Sequence, residues 1–151
     1  MECTIVEYHD TIPCDVIERA VQFYAKYLKI SKRVDLLLDF EDGFDIHGEI
    51  AYENKNRFVI TIKNGMNKRR TLIALAHEMV HLKQYSKGQL KVDKQKKNRM
   101  IYCGKSYNDN KNYWDTPWEI EAFGRELGLY CQFMESEKRN VGAGVGHGRD
   151  L

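Results

Sequence analysis

Three stretches of the chain repeat apolar residues at the spacing of an α-helix. The first covers residues 15–30, the second residues 68–85, and the third residues 117–136. Thr116 precedes the third stretch and is a residue type that favours the helix N-cap. Pro117 opens the stretch, and proline is favoured at the first helical position. The pattern therefore predicts three amphipathic helices.

Three shorter stretches have the pattern of β-strands. Residues 33–40 form a compact apolar run bounded by charge, which indicates a buried strand. Residues 46–53 and 57–63 are joined by a short polar connection, which is typical of a hairpin. In the second hairpin strand, we expect Phe58, Ile60 and Ile62 to share one side of the sheet and the residues between them, Arg57, Val59 and Thr61, to share the other.

The order of these elements predicts an α+β fold. We expect a small mixed or antiparallel sheet packed against the N-terminal helix and the second helix, followed by the third helix. Residues 87–116 lack helical periodicity and are interpreted as a long loop, with a short strand at residues 99–103. Residues 1–138 are predicted to form one domain, and the glycine-rich residues 139–151 a flexible tail.

Composition narrows the class of protein. The chain has 151 residues, of which 42% are hydrophobic and 30% charged, and its net charge is +2. It contains no apolar run of membrane-spanning length and no signal-type N-terminus, and its four cysteines include no C-x-x-C pair. We therefore expect a cytoplasmic protein that has no membrane partner. If the protein is viral, we expect it in the cytoplasm of the host.

The second helix carries the motif H-E-x-x-H in "HEMVH". His77 and His81 lie about 40° apart around a helix, so both imidazoles can reach one metal ion. Glu78 lies beside them at about 100°, where it can hold a water rather than bind the ion. The alternative is an ordinary helix with two surface histidines. A catalytic zinc needs three protein ligands and one open position, so the third ligand decides between the two.

Glu119 is the favoured third ligand. It lies in the first turn of the third helix, beside an inward face that we predict from Ile120, Phe123, Leu127, Tyr130 and Met134. A carboxylate at this position also complements the helix dipole without any metal. Glu121, which we expect to face solvent, Glu126 and His147 are the other candidates.

These motifs resemble the minimal zinc metallopeptidases of the gluzincin type. In that group a second helix supplies a glutamate, often as Glu-x-x-Ala, which matches Glu119 to Ala122. "HEMVH" also resembles the SprT/Spartan-like proteases, which include small phage and bacterial proteins. Their third histidine and their cysteine-rich zinc ribbon have no counterpart here. The resemblance covers about residues 72–127 and implies a zincin-like fold.

A zinc endopeptidase is therefore the expected function, with a protein or peptide as substrate. His77, His81 and Glu119 are the predicted Zn²⁺ ligands and Glu78 the general base. Tyr107 or Tyr113 is a candidate oxyanion donor, and residues 46–53 or 57–63 supply a strand edge for substrate. The alternative is a non-catalytic zincin-fold protein that binds a protein or DNA. The segment from Lys87 to Arg99 has six basic residues and one acid. It is either a contact for DNA or an ordinary solvated loop.

Overall fold

The computed structural model describes residues 1–7, 9, 11–109 and 112–142 of the chain. It has the predicted α+β composition, with three α-helices and two small sheets among these residues. None of the described helices is both long and apolar enough to cross a lipid bilayer. Most of the predicted glycine-rich tail, residues 143–151, lies outside the described residues.

The main sheet has four strands: β1 Glu2–Ile5, β2 Asp35–Glu41, β3 Gly48–Asn54 and β4 Arg57–Lys63. Their order in the sheet is β1-β2-β4-β3. β1, β2 and β4 are parallel, whereas β3 pairs with β4 antiparallel and forms one edge. The predicted mixed sheet is therefore confirmed, and so is the hairpin.

The hydrophobic core lies on one face of this sheet. Leu36, Leu38 and Phe40 of β2 are buried, and Phe58, Ile60 and Ile62 of β4 are buried beside them, on the side that they were predicted to share. Helices α1, Cys14–Tyr27, and α2, Lys68–Ser86, cover this face. α2 is buried around most of its circumference, because the sheet lies on one side and α3, Pro117–Gly142, packs along another.

The ends of α2 are specified locally. The side chain of Asn67 accepts a hydrogen bond from the backbone N–H of Arg70 at 2.8 Å, which caps the helix N-terminus. Gly88 follows the last turn with a φ of +71°, a conformation that glycine adopts without a steric penalty. The helix that carries the motif is thus held at both ends as well as along its sides.

The predicted long loop was only partly correct, because it folds into a second, three-stranded antiparallel sheet. Its strands are β5 Leu90–Val92, β6 Arg99–Tyr102 and β7 Lys105–Asn108. The single strand predicted at residues 99–103 corresponds to β6. Short strands with many polar residues have no clear apolar alternation, so the pattern alone did not reveal β5 and β7. A short 3₁₀-helix, Tyr113–Asp115, then leads into α3.

Candidate metal centre

Three side chains from two helices meet at one point. The Nε2 atoms of His77 and His81 lie 3.2 Å apart, and Oε1 of Glu119 lies 3.0 Å from the first and 3.1 Å from the second. All three residues are buried. The structure therefore brings together the three residues that the sequence proposed as ligands, with one nitrogen or oxygen atom from each facing the other two.

This triangle has the dimensions of one face of a zinc coordination tetrahedron. Ligand atoms bound at about 2.0 to 2.1 Å in tetrahedral geometry lie roughly 3.3 to 3.4 Å apart. The observed separations of 3.0 to 3.2 Å are slightly shorter than this. The donor set and its spacing fit an ion of this kind with only small side-chain movements.

The other ring nitrogen of each histidine is also held. Nδ1 of His77 lies 2.7 Å from Oε2 of Glu126, and Nδ1 of His81 lies 2.8 Å from Oε1 of Gln84. Each acceptor favours the tautomer with the proton on Nδ1, which leaves the Nε2 lone pair directed at the shared point. Partners of this type fix the ring orientation in metal sites.

Gln84 is itself fixed by two further hydrogen bonds. Its amide nitrogen donates to the backbone carbonyl of Trp118 at 3.0 Å and to Oε1 of Glu121 at 2.8 Å. These bonds determine the orientation of the amide, so that its oxygen faces His81.

Neither Gln84 nor the role of Glu126 was recognised from the sequence. Gln84 follows His81 by one helical turn, and Glu126 follows Glu119 by seven positions on the same helix face, so helical spacing contained both signals.

The electrostatics of the protein groups favour a charged cluster. Burial lowers the pKa of His77, but its hydrogen bonds with Glu119 and Glu126 outweigh burial and raise that pKa to about 9. Burial raises the pKa of Glu119, but hydrogen bonds from His77, His81 and Tyr113 outweigh it and lower that pKa to about 2. A carboxylate that stays ionised in a buried site is suited to hold a cation.

Glu78 lies next to the cluster and borders an open cleft. It is buried, and burial is the main reason that its pKa is raised above the usual range, although the nearby histidines oppose the shift. The cleft has a volume of about 670 Å³ and is lined by His77, Glu78 and residues of β3, α2 and α3. The motif glutamate therefore lines an open cleft.

Tyr113 reaches the cluster and Tyr107 does not. The hydroxyl of Tyr113 donates to Oε1 of Glu119 at 2.9 Å, and the residue also lines the cleft. Tyr107 packs instead against the ring of Trp118, with centroids 6.1 Å apart. The exposed Trp114 stacks at the mouth of the same cleft against Phe123, at 4.8 Å. The sequence left Tyr107 and Tyr113 open, and the structure places only Tyr113 at the site.

The predicted inward face of α3 was only partly correct, because Tyr130 and Met134 pack against the core but other members of it do not. Ile120 and Leu127 are exposed at 57% and 48%, whereas the face that packs inward is rotated by roughly a third of a turn. Its buried residues are Trp118, Glu119, Ala122, Leu129 and Phe133. Glu119 borders both faces, so its own placement was unaffected by this error.

Glu121 does not face solvent as predicted. It accepts hydrogen bonds from Lys83, Gln84 and Tyr102, and although burial raises its pKa, these partners lower it to about 2. The phase error in α3 explains this outcome, because the predicted solvent side packs against α2 and the second sheet. Glu121 is a structural neighbour of the cluster, and the remaining candidate, His147, lies outside the described residues.

Comparison of this chain with protein-family models, with curated proteins and with solved structures finds no match.

Proposed function

We propose that this protein is a zinc-dependent peptidase with a zincin-like fold. The observation that supports it most directly is the buried triangle of His77, His81 and Glu119, with Glu78 beside it at the cleft. Two histidines, one carboxylate and an open side form the ligand set of a catalytic rather than a structural zinc site. Such an ion lowers the pKa of a bound water to about 7 and polarises a carbonyl.

Glu78 is the proposed general base. Its buried carboxylate has a raised pKa, which brings it closer to the range in which a group both accepts a proton and returns it. In the proposed reaction it takes the proton of the attacking water and passes it to the leaving amine. The hydroxyl of Tyr113 is the proposed donor to the developing oxyanion, because it is the tyrosine that reaches the cluster and also lines the cleft.

The edge strand β3 is the proposed support for an extended peptide. Gly48 at its start lines the cleft, and β3 has no partner on its outer side in the described sheet. A peptide added to this edge gains backbone hydrogen bonds independent of its side chains. Residues 57–63, the other strand considered from the sequence, form β4 inside the sheet and have no free edge.

The test is metal content together with peptide hydrolysis, measured on wild type and Glu78→Gln. We expect about one zinc per chain in both, and hydrolysis only in the wild type, since Glu78 acts on the proton and does not ligate the ion. His77→Ala should lose the metal. His47→Ala is the matched control for metal content, because His47 lines the same cleft outside the cluster.

Two results would contradict the proposal. A folded wild type that takes up no zinc after zinc is added would leave a non-catalytic binding protein as the better description. Equal hydrolysis by wild type and Glu78→Gln would remove Glu78 from the reaction.

A further inference from the structure

A second cavity lies beyond the metal centre, at the far end of β3. It has a volume of about 900 Å³ and lies between the β3–β4 hairpin, the end of α2 and the second sheet. Tyr52 and Tyr85 form part of its wall, with ring centroids 4.9 Å apart. The proposed zinc site and its cleft make no use of this cavity, which we call the lysine pocket.

The lysine pocket lies at the opposite end of β3 from the cleft beside the metal centre. Tyr85 is one helical turn beyond His81 on α2, and β3 runs from Gly48 at the cleft to Tyr52 at the pocket. Burial, and then the neighbouring charges of Tyr52, Glu119 and Glu78, raise the pKa of Tyr85 to about 12. Tyr85 is therefore within electrostatic range of the catalytic cluster, and one extended chain can reach both places.

The pocket is positively charged. Four exposed lysines line it, from the hairpin turn, from β5 and from the segment that links β5 to β6: Lys55, Lys91, Lys94 and Lys96. The lining also includes one acid, Asp93, whose carboxylate accepts hydrogen bonds from the backbone N–H of Gln95 at 3.0 Å and from Ser106 at 2.9 Å. The four lysines outnumber this one acid, whose charge also acts on Lys96, so the lining keeps a net positive charge that can attract an anion.

We propose that the lysine pocket is a substrate subsite that selects an acidic side chain on the peptide. This inference rests on the proposed peptidase function. Four residue steps separate Gly48 from Tyr52, which is about 13 Å in an extended strand. A peptide that pairs antiparallel with β3 runs from the pocket towards the cleft. The selected Asp or Glu therefore lies about four residues to the amino side of the cleaved bond.

The charges along β3 favour a peptide over a nucleic acid. Glu49 and Glu53 are exposed on the strand that joins the cleft to the pocket. A chain with a phosphate at every step would meet both carboxylates, whereas a peptide with one acidic residue needs only the pocket to be basic. The strand edge also offers backbone groups that pair with a peptide.

The test uses short internally quenched peptides that carry a single glutamate, moved one position at a time through a glutamine background. We expect glutamate about four residues before the cleaved bond to raise kcat/KM about 3- to 10-fold over glutamine, an effect that weakens as salt is added. Lys91→Gln combined with Lys94→Gln should remove this preference. Lys97→Gln is the matched control, because Lys97 is exposed on the same segment and does not line the pocket.

A binding measurement separates this inference from the proposed function. Fluorescent versions of the same peptides are titrated with zinc-loaded Glu78→Gln. One possible result is that the wild type cleaves none of the peptides, whereas the Glu78→Gln variant still binds the glutamate peptide more tightly. If Lys91→Gln with Lys94→Gln then removes this binding preference, the peptidase proposal fails and the acidic subsite stands. Equal rates and equal affinities for the glutamate and glutamine peptides would overturn the subsite. So would lysine-dependent binding of single-stranded oligothymidylate without any glutamate preference.

Discussion

Nδ1 of His77 and Oε2 of Glu126 lie 2.7 Å apart, although the two residues are separated by 49 positions and belong to different helices. The contact joins α2 to α3 and directs the other ring nitrogen of His77 towards His81 and Glu119. The carboxylate also makes the imidazole a stronger metal ligand.

Removal of this carboxylate should weaken metal binding without removing a ligand. We expect Glu126→Ala to lower zinc affinity about 10- to 100-fold, because the ring loses its orienting acceptor. Competition with a chromophoric chelator measures the change. Glu135→Ala on the same helix, where the carboxylate pairs with the exposed Arg139, should leave the affinity as it is. An unchanged affinity in Glu126→Ala would show that the contact is not part of the site.

Substitution of Glu119 should affect metal binding, whereas substitution of Glu121 should affect the stability of the fold. Glu119→Ala should lose stoichiometric zinc. Glu121→Ala should keep about one zinc per chain but cost roughly 2 to 4 kcal/mol in the free energy of unfolding, because the buried Lys83 and Gln84 lose the partner that Glu121 provides. Elemental analysis and urea titration measure the two effects. If Glu121→Ala lost its zinc and Glu119→Ala kept it, Glu121 would be the metal ligand and Glu119 would not.

Gly48 should be intolerant of a side chain because of Glu78. A Cβ added at Gly48 would lie 2.9 Å from Cδ1 of Ile62 and 3.2 Å from Cγ of Glu78. We therefore expect Gly48→Ala to displace Glu78 and reduce hydrolysis at least about tenfold while zinc content stays near one per chain. Steady-state kinetics and elemental analysis test this together.

The matched glycine controls lie on α3. A Cβ at Gly124 or Gly128 meets no atom within 4 Å. Each change to alanine should stabilise the protein by about 0.5 to 1 kcal/mol, because alanine has the higher helix propensity. Full hydrolysis by Gly48→Ala would show that Glu78 has room to adjust.

Metal affinity and metal-free stability should depend on pH in opposite directions. The pKa of His77 is raised to about 9 by Glu119 and Glu126, against burial, from about 6.5 in an unfolded chain. The metal-free protein therefore gains stability from protonated His77 below about pH 6.5 and loses it as the pH rises through about 9. Zinc must displace this proton, so its affinity should rise about tenfold per pH unit up to about pH 9.

Thermal unfolding of chelator-treated protein and zinc titration across this pH range measure the two trends. In His77→Ala, treated in the same way, the stability of the metal-free protein should no longer fall as the pH rises towards about 9. An affinity independent of pH between about 7 and 9 would mean that His77 is not the group that zinc deprotonates.

The sequence predicted which residues meet in the cluster better than it predicted the packing of the helix that carries Glu119. His77 and His81 lie four positions apart on one helix, so local geometry alone was sufficient to pair them. The phase of α3 was predicted from five apolar residues, of which Ile120 and Leu127 are exposed and the other three are half-buried. Large apolar side chains lie on both sides of this helix, because Trp118, Leu129 and Phe133 are buried. The inward face also contains the small Ala122 and the polar Glu119, so the apolar pattern alone did not define its phase.

The second sheet was difficult to predict for a related reason. β5, β6 and β7 have three or four residues each, too few to establish a period-two pattern against the surrounding lysines and asparagines. β1 was missed as well, and it is equally short, at four residues. Pairing with a neighbouring strand, which holds such segments in place, is a tertiary contact that has no local signature.

The segment between α2 and α3 leaves and re-enters the molecule at nearly the same place. Gln84, near the end of α2, donates to the carbonyl of Trp118 at the start of α3, at 3.0 Å. Between these points the chain builds a three-stranded sheet of its own. An insertion whose two ends meet can be exchanged for another of different length or charge without displacing the helices. Residues 90–108 are thus a natural site for grafting, where this surface can be redesigned while the cluster of His77, His81 and Glu119 is kept.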